Sequence, residues 1–207
     1  MPLPSFDHRP DIRLIAADLD GTLLDDEKEL HEHFWPLVDA LVERGVLFCP
    51  ASGRQYANLY ERFRPLAHEM VFIAENGAFV VRGTEEISSD TLSPGLVRSV
   101  VNVVRDVAAV VVSGVHWLDV MNPSTSKGAG LRHIQEALGI TPGQTMVFGD
   151  FLNDLEMMDE AEYSFAMHNA HPALRERARY VAPPNSQNGV VRTISSVPGL
   201  PWTDWSG

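Results

Sequence analysis

ADLDGTLL, residues Ala17 to Leu24, is the stretch that decides how this chain folds. It follows the apolar run IRLIA and sets two aspartates, Asp18 and Asp20, two residues apart, with Gly21 and Thr22 behind them. The apolar run reads as a buried strand, and Asp-Gly reads as the turn that leaves it. Two carboxylates a few ångströms apart repel by about 1–4 kcal/mol at surface-like dielectric. Taken alone, a strand-ending turn accounts for the pair as well as a chemical site does. What separates the two readings lies further along the chain.

Short apolar runs alternate with amphipathic ones on either side. VLFCPA (Val46–Ala51), MVFIA (Met70–Ala74), TMVFGD (Thr145–Asp150), YSFAM (Tyr163–Met167) and RYVAP (Arg179–Pro183) read as strands. Between them, Leu30, Leu37, Val38, Leu41 and Val42 share one helical face that Gly45 closes, with Pro36 in the first turn. Gln55–Arg64, KGAGLRHIQEALGI (Lys127–Ile140, apolar at Leu131, Ile134 and Leu138), FLNDLEMMDEA (Phe151–Ala161) and HPALRERA (His171–Ala178) read as further helices. Continuous apolar strands alternating with helices predict an α/β fold: a Rossmann-like three-layer core around a parallel sheet. Such sheets bind ligands beyond the carboxyl ends of their strands.

Composition narrows the function classes. The chain has 207 residues, 44% hydrophobic and 21% charged, with a formal net charge of −12. That charge argues against nucleic acid or an anionic membrane as the partner. A small phosphorylated substrate stays open, because a local cation overrides the global field. The single cysteine, Cys49, excludes an intramolecular disulfide and reads as a core thiol. No run is long and apolar enough to cross a bilayer. The lead MPLPSFDHRPDIR lacks a signal-peptide apolar region and is expected to be disordered, so a cytoplasmic location is expected. No Cys/His pair has zinc spacing. His31 and His33 are expected to be solvated, and Met157, Met158, Trp35 and Phe48 to lie in the core.

Four polar clusters follow strands or open helices: Asp18, Asp20 and Thr22; Ser52, Gly53 and Arg54; Lys127 and Gly128; Asp150, Asn153 and Asp154. A parallel sheet brings strand-end groups to one edge. Asp18, Asp20, Asp150 and Asp154 then form an acidic cluster with Lys127 beside it and Arg54 as a further cation or an ion-pair partner. A hard divalent cation resolves the repulsion, and Mg²⁺ takes oxygen ligands of this kind together with substrate phosphate. Other roles remain open. Ser52 also fits an N-cap before the helix, Lys127 alone fits a solvated surface lysine, and Asp154 fits an acid that orients the ligands rather than one of them.

The order DLDGT, then Ser52-Gly53-Arg54, then Lys127-Gly128, then GDFLNDLEMM resembles that of the haloacid dehalogenase-like phosphatases. The segment AMHNAHPALRERARYVAPPNSQNGV is similar to the Cof-type (sugar-phosphatase) branch, and the resemblance spans residues 12–194. It implies Asp18 as nucleophile and Asp20 as general acid/base. It implies Ser52, Gly53, Lys127 and Asn153 as phosphate or substrate binders, with Mg²⁺ held by Asp18, Asp20, Asp150 and Asp154. Ser52 stands where threonine is commoner, and Gly130 where alanine is usual, which weakens that helix slightly. The residue types suit this chemistry independently. A carboxylate can attack phosphorus to give an acyl phosphate, a second carboxylate can serve the leaving alcohol and then water, and a lysine can neutralise phosphoryl oxygens.

Residues 83–117 break the pattern and are expected to form a small reduced α/β cap insert between core segments 1–82 and 118–207. One helix, Pro94–Arg105, is expected there between short strands. Only residues 77–126 separate Asn76 from Lys127, less than the whole α/β cap the resemblance implies. The insert therefore reads as a cap with its middle missing, which predicts slow, loosely selective cleavage of aryl and sugar phosphates. Val97, Val100, Val101 and Val104 form an apolar stripe, read as a homodimer surface. The expected function is a Mg²⁺-dependent phosphomonoesterase. The alternatives are a non-catalytic phosphate- or metal-binding remnant and a phosphomannomutase-like phosphotransferase.

Overall fold

The computed structural model describes residues 9–96, 98, 99, 122 and 124–201. In chain order the elements are β1 (Leu14–Ala17), α1 (Phe34–Val42), β2 (Leu47–Pro50), α2 (Tyr56–Arg62), β3 (Val71–Ala74), β4 (Phe79–Arg82) and β5 (Glu85–Ser89). They continue as α3 (Lys127–Leu138), β6 (Thr145–Gly149), α4 (Leu155–Asp159), β7 (Tyr163–Met167), α5 (Pro172–Arg177), β8 (Tyr180–Ala182) and α6 (Gly189–Ser196).

The main sheet runs β2-β1-β6-β7-β8, parallel throughout. Its strands are buried across both faces, which is why they read as unbroken apolar runs. β3 departs from the simple parallel reading. A single parallel bridge, Ala51 to Ile73, joins it to the edge of β2, and it then pairs antiparallel in a ribbon ordered β3-β4-β5. Phe34, Phe48, Phe63 and Phe72 make an aromatic cluster in the core, edge-on at Phe34–Phe48 (5.3 Å between centroids) and tilted at Phe63–Phe72 (6.2 Å). Phe148 and Phe165 stack at 4.9 Å across β6 and β7.

Several local expectations shift. Leu30 does not belong to α1; it precedes the helix and bridges to Leu24. FLNDLEMMDEA divides into a tight 3₁₀ turn, Leu152–Asp154, followed by α4, because the Asp154 carboxylate turns back onto the backbone amides that precede it. His31 and His33 are partly buried, their rings stacked at 5.1 Å. Cys49, Phe48, Met157 and Met158 lie in the core, while Trp35 packs against it half-buried. The sequence reading did not assign α6, although Val190, Val191 and Ile194 form its buried face.

α3 begins at Lys127, so its placement bears most on the candidate site. Ser126 caps it by accepting the Ala129 amide at 3.1 Å, and Gly139, at φ +62°, ends it. Gly130, expected only to weaken the helix, lets it approach the sheet. A Cβ there would stand 3.1 Å from both Ile73 and Val80. Gly77 is tighter still: at φ +100°, its added Cβ would lie 2.0 Å from the Ser126 carbonyl oxygen.

Residues 94–96, 98 and 99 are helical. The rest of the expected Pro94–Arg105 helix, and the stripe of Val97, Val100, Val101 and Val104, lie outside the described residues, as do the first eight residues of the lead. Where the described chain leaves the ribbon, the Asp90 carboxylate accepts from Asn122 Nδ2, Thr125 Oγ1 and, at 3.3 Å, Ser124 Oγ. Residue 90 is thereby tied to the segment that feeds Lys127. No helix among the described residues is long and apolar enough to cross a membrane.

Candidate active site

Because β1, β2 and β6 are parallel, the residues after Ala17, Pro50 and Gly149 emerge at one edge. Asp18 leaves β1 with its amide donated to the Phe148 carbonyl at 3.0 Å. At Gly21 the backbone takes φ +83°, and the Gly21 Cα lies so near Asp150 that an added Cβ would stand 2.3 Å from its Oδ2. Only glycine combines that turn with that approach. Across the sheet, Gly149 leaves room for Asp154 in the same way, with 2.6 Å from an added Cβ to Asp154 Oδ2.

At the centre of this edge is Lys127, whose side chain is 0% exposed. Its Nζ donates to Asp18 Oδ1 and, at 2.7 Å, to Asp154 Oδ1. Asp154 is also fully buried, and its Oδ2 accepts the amides of Asp150 at 3.0 Å and Phe151 at 3.2 Å. Thr22 Oγ1 donates to Asp150 Oδ1 at 3.3 Å. Each of Asp18, Asp150 and Asp154 offers a carboxylate oxygen within 4.8 Å of the others.

The electrostatics record what this crowding costs. Burial pushes the Asp18 carboxyl up to about 7, with Lys127 working against the shift and Asp154 and Asp150 adding to it. Burial and the charge of Asp154 push Asp150 up to about 6. Burial alone would lower Lys127, but Asp18 and Asp154 override it and hold the ammonium well above the usual lysine range. One lysine among three acids leaves excess negative charge in a space of hard oxygen donors. That donor set fits a divalent cation such as Mg²⁺, which would restore the charged form of Asp18 and Asp150.

Of the residues singled out from sequence, Asp18, Lys127, Asp150 and Asp154 come together. The Asp20 side chain does not join their cluster. It turns to Arg54, with Nε at 3.1 Å and a terminal nitrogen at 2.9 Å, and to Lys28 Nζ at 3.1 Å. Burial would raise its pKa, yet the hydrogen bond from Lys28 and the charge of Arg54 prevail and lower it. Arg54 is therefore an ion-pair partner of Asp20. Ser52, Gly53 and Asn153 line a rim through Asn76, a residue to which the sequence reading gave no role. The Asn76 amide donates to the Ser52 carbonyl at 3.0 Å, and Asn153 Nδ2 donates to Asn76 Oδ1 at 3.1 Å. An added Cβ on Gly53 would lie 3.1 Å from the side-chain Nδ2 of Asn76. The signal for Asn76 was the dipeptide Asn76-Gly77, and its φ of +54° is one that asparagine tolerates. Ser52 does not cap α2. Its Oγ accepts the Arg54 amide at 3.2 Å, while Gln55 occupies the cap position.

A doubly wound parallel sheet with acids at its strand ends and a buried lysine among them is the arrangement of an α/β protein that binds its ligand beyond the carboxyl ends of the strands. The family profile described as haloacid dehalogenase-like hydrolase matches residues 15–112 and 104–194, and the chain belongs to that family, in its Cof-type branch. It is 27% identical over 260 residues to the 5-amino-6-(5-phospho-D-ribitylamino)uracil phosphatase YbjI of Escherichia coli K12, covering 90% of this chain and 96% of that protein. It is also 27% identical over 223 residues to a phosphoglycolate phosphatase of Methanothermobacter thermautotrophicus, covering 88% and 97%. A haloacid dehalogenase-like hydrolase from Bacteroides thetaiotaomicron shares the fold at a TM-score of 0.73 and 18% identity, over 87% of this chain and 97% of that one.

Proposed function

We propose that this phosphatase hydrolyses small phosphomonoesters by passing the phosphoryl group through Asp18. The observation that carries this reading is the fully buried Lys127 held between Asp18 and Asp154. A lysine removed from water and aimed at a strand-end carboxylate is poor surface design but good phosphoryl chemistry, because it neutralises charge where the transferring group would sit.

An Asp18 carboxylate oxygen attacks phosphorus as the ester P–O bond breaks, giving an acyl phosphate and an alcohol. Asp20 supplies the proton the alkoxide takes. In the second step it accepts a proton from water as that water attacks phosphorus, and the bond to Asp18 breaks to release phosphate. For the first step Asp20 must enter protonated; once it has given up that proton, Arg54 and Lys28 favour its ionised form, which is the base the second step needs. Ser52, Gly53 and Asn153 form the rim that would receive phosphoryl oxygens. Asp18 and Asp150 would hold Mg²⁺, with Asp154 orienting Lys127 and the loop beside it. Bound there, the ion would neutralise the non-bridging oxygens and keep Asp18 ionised.

A reduced cap is part of this reading. The Escherichia coli alignment extends over 260 residues while drawing on 90% of a 207-residue chain, so that relative carries a segment with no counterpart here. The family profile matches in two pieces that meet at residues 104–112, inside the proposed 83–117 insert. A cap excludes water and reads the leaving group, so a shortened one favours broad, slow turnover of sugar and aryl phosphates. The test is hydrolysis of p-nitrophenyl phosphate by wild type and Asp18→Asn, with Mg²⁺ and with chelator. Phosphate release that needs both Asp18 and Mg²⁺ is the expected result; none from folded wild type overturns it.

A further inference from the structure

The loop after β1 makes its own backbone bonds unevenly. The amides of Thr22, Leu23 and Leu24 all donate back to Leu19, at 3.3, 3.0 and 2.9 Å. The carbonyls of Gly21 and Leu24 accept from outside the loop, from two asparagines that follow the last two strands of the sheet. Asn169, after β7, donates its Nδ2 to the Gly21 carbonyl at 2.8 Å. Asn185, after β8, donates its Nδ2 to the Leu24 carbonyl at 3.1 Å and to Asp26 Oδ1 at 3.2 Å. The two are joined: the Asn185 amide donates to Asn169 Oδ1 at 3.1 Å. Two residues beyond Asn169, the His171 amide donates to the Asp150 carbonyl at 2.8 Å.

From this geometry we infer that Asn169 and Asn185 form a two-point clamp that positions the Asp18–Leu24 loop for catalysis. The inference rests on the reading of Asp18 as the attacking group. Neither asparagine touches the acid cluster; both are positioning residues. The loop needs holding because it bends through Gly21 at φ +83° directly against the Asp150 carboxylate. Repulsion between Asp18 and Asp150 works to spread their loops, and their own short strands end before the bend. The clamp grips the near side of the bend at Gly21 and the far side at Leu24, while His171 ties the Asp150 loop to the same C-terminal segment. An amide is suited to the task. Each side chain must donate through nitrogen, and Asn169 must also accept through oxygen, which neither aspartate nor leucine can do.

The test uses the full chain. Asn169→Asp keeps an acceptor for the Asn185 amide and removes the donor to Gly21, at an exposed position where folding is retained. Asn185→Ala removes the second grip. Amide hydrogen exchange of Gly21–Leu24 is compared with that of Leu14–Ala17, alongside kcat and KM for p-nitrophenyl phosphate. Loss of one hydrogen bond of about 1 kcal/mol should speed exchange in the loop about fivefold and leave β1 unchanged. A displaced nucleophile should lower kcat by about 10–100-fold with KM within twofold. For an active wild type, unchanged loop exchange or unchanged kcat in Asn169→Asp overturns the clamp. If wild type hydrolyses nothing, the proposed chemistry falls, and the exchange rates alone decide the clamp.

Discussion

Arg54 grips Asp20 through two nitrogens, Nε at 3.1 Å from one carboxylate oxygen and a terminal nitrogen at 2.9 Å from the same one, with Lys28 closing on the other at 3.1 Å. The second carboxylate of the DxD pair is thus kept ionised by cations, while the first is pushed toward its protonated form by burial. One short stretch of chain holds two acids with opposite tendencies, so the proposed attack by Asp18 calls for a cation that returns it to its ionised form.

Removing Arg54 should show this directly. Arg54→Ala takes away a charge that lowers the Asp20 pKa, so the limb of the pH–rate profile belonging to Asp20 should move to higher pH. General acid/base contributions run to about 10²–10⁴ in rate, and Asp20→Asn should lose that much whereas Arg54→Ala should lose less. A profile in Arg54→Ala that superimposes on wild type would detach Arg54 from the chemistry.

Metal and pH should act together on stability. The folded carboxyls of Asp18 and Asp150 lie at about 7 and about 6, above the 3.8 they have when unfolded. Their protonation therefore favours the fold below about pH 4, and that contribution is lost as pH rises through 6 to 7, each pKa unit being about 1.4 kcal/mol. Asp20 has the opposite sign, but its effect falls below pH 3.8 and is screened by its exposure. Metal-free protein should thus melt at a lower temperature at pH 8 than at pH 5. Added Mg²⁺ should raise the melting temperature more at pH 8. Melting curves indifferent to both would deny the cation its place among these acids.

Asp154 should matter more to folding than Asp18, the proposed attacking group. Asp154 is fully buried and serves the lysine and two backbone amides, so Asp154→Ala strands both amides and takes one of the two carboxylates that face Lys127. Breaking a buried pair in this way costs about 3–5 kcal/mol, readable by urea denaturation. Asp18→Asn leaves Lys127 its Asp154 partner and should cost less. The reverse order would mean that Asp154 is not the lysine's main support.

Two glycines with positive φ give an internal control. Gly77→Ala meets both an unfavourable backbone region and the Ser126 carbonyl 2.0 Å away. Gly45→Ala, at φ +70°, meets open space. The second should cost about 1–2 kcal/mol, the left-handed penalty alone. The first should cost clearly more and also lower turnover, because Ser126 precedes Lys127. Equal losses would show that the close approach plays no part.

The sequence made some of this plain and hid the rest for physical reasons. Element ends carry their chemistry locally, so Asp18, Asp150 and Asp154 were readable where apolar runs stop at polar clusters, and Lys127 where a helix opens. Side-chain direction is not local. Nothing in DLDGT says that Asp20 turns to Arg54 and Lys28 while its neighbour enters the cluster. Leu30 fitted the α1 periodicity but pairs with Leu24 instead, since a bridge outside the helix satisfies it. Gly130 looked like a weakness until packing against Ile73 and Val80 gave it a purpose. Asn76, Asn169 and Asn185 carried no signal as chemistry, because hydrogen bonds to distant carbonyls leave no periodicity to detect. The β3-β4-β5 ribbon was missed because pairing direction depends on the turn at Glu75–Gly77, where two non-glycine residues take positive φ.

The dry lysine also constrains how such a protein can age out of catalysis. A lineage that lost Lys127 first would be left with Asp18 and Asp154 facing each other without a counter-charge, at a cost of about 3–5 kcal/mol to its fold as well as its turnover. Decay into an inert descendant is therefore easiest where Asp18 goes first, since Lys127 then keeps Asp154 as its partner. The same arrangement that makes the site chemically useful makes its residues hard to discard one at a time.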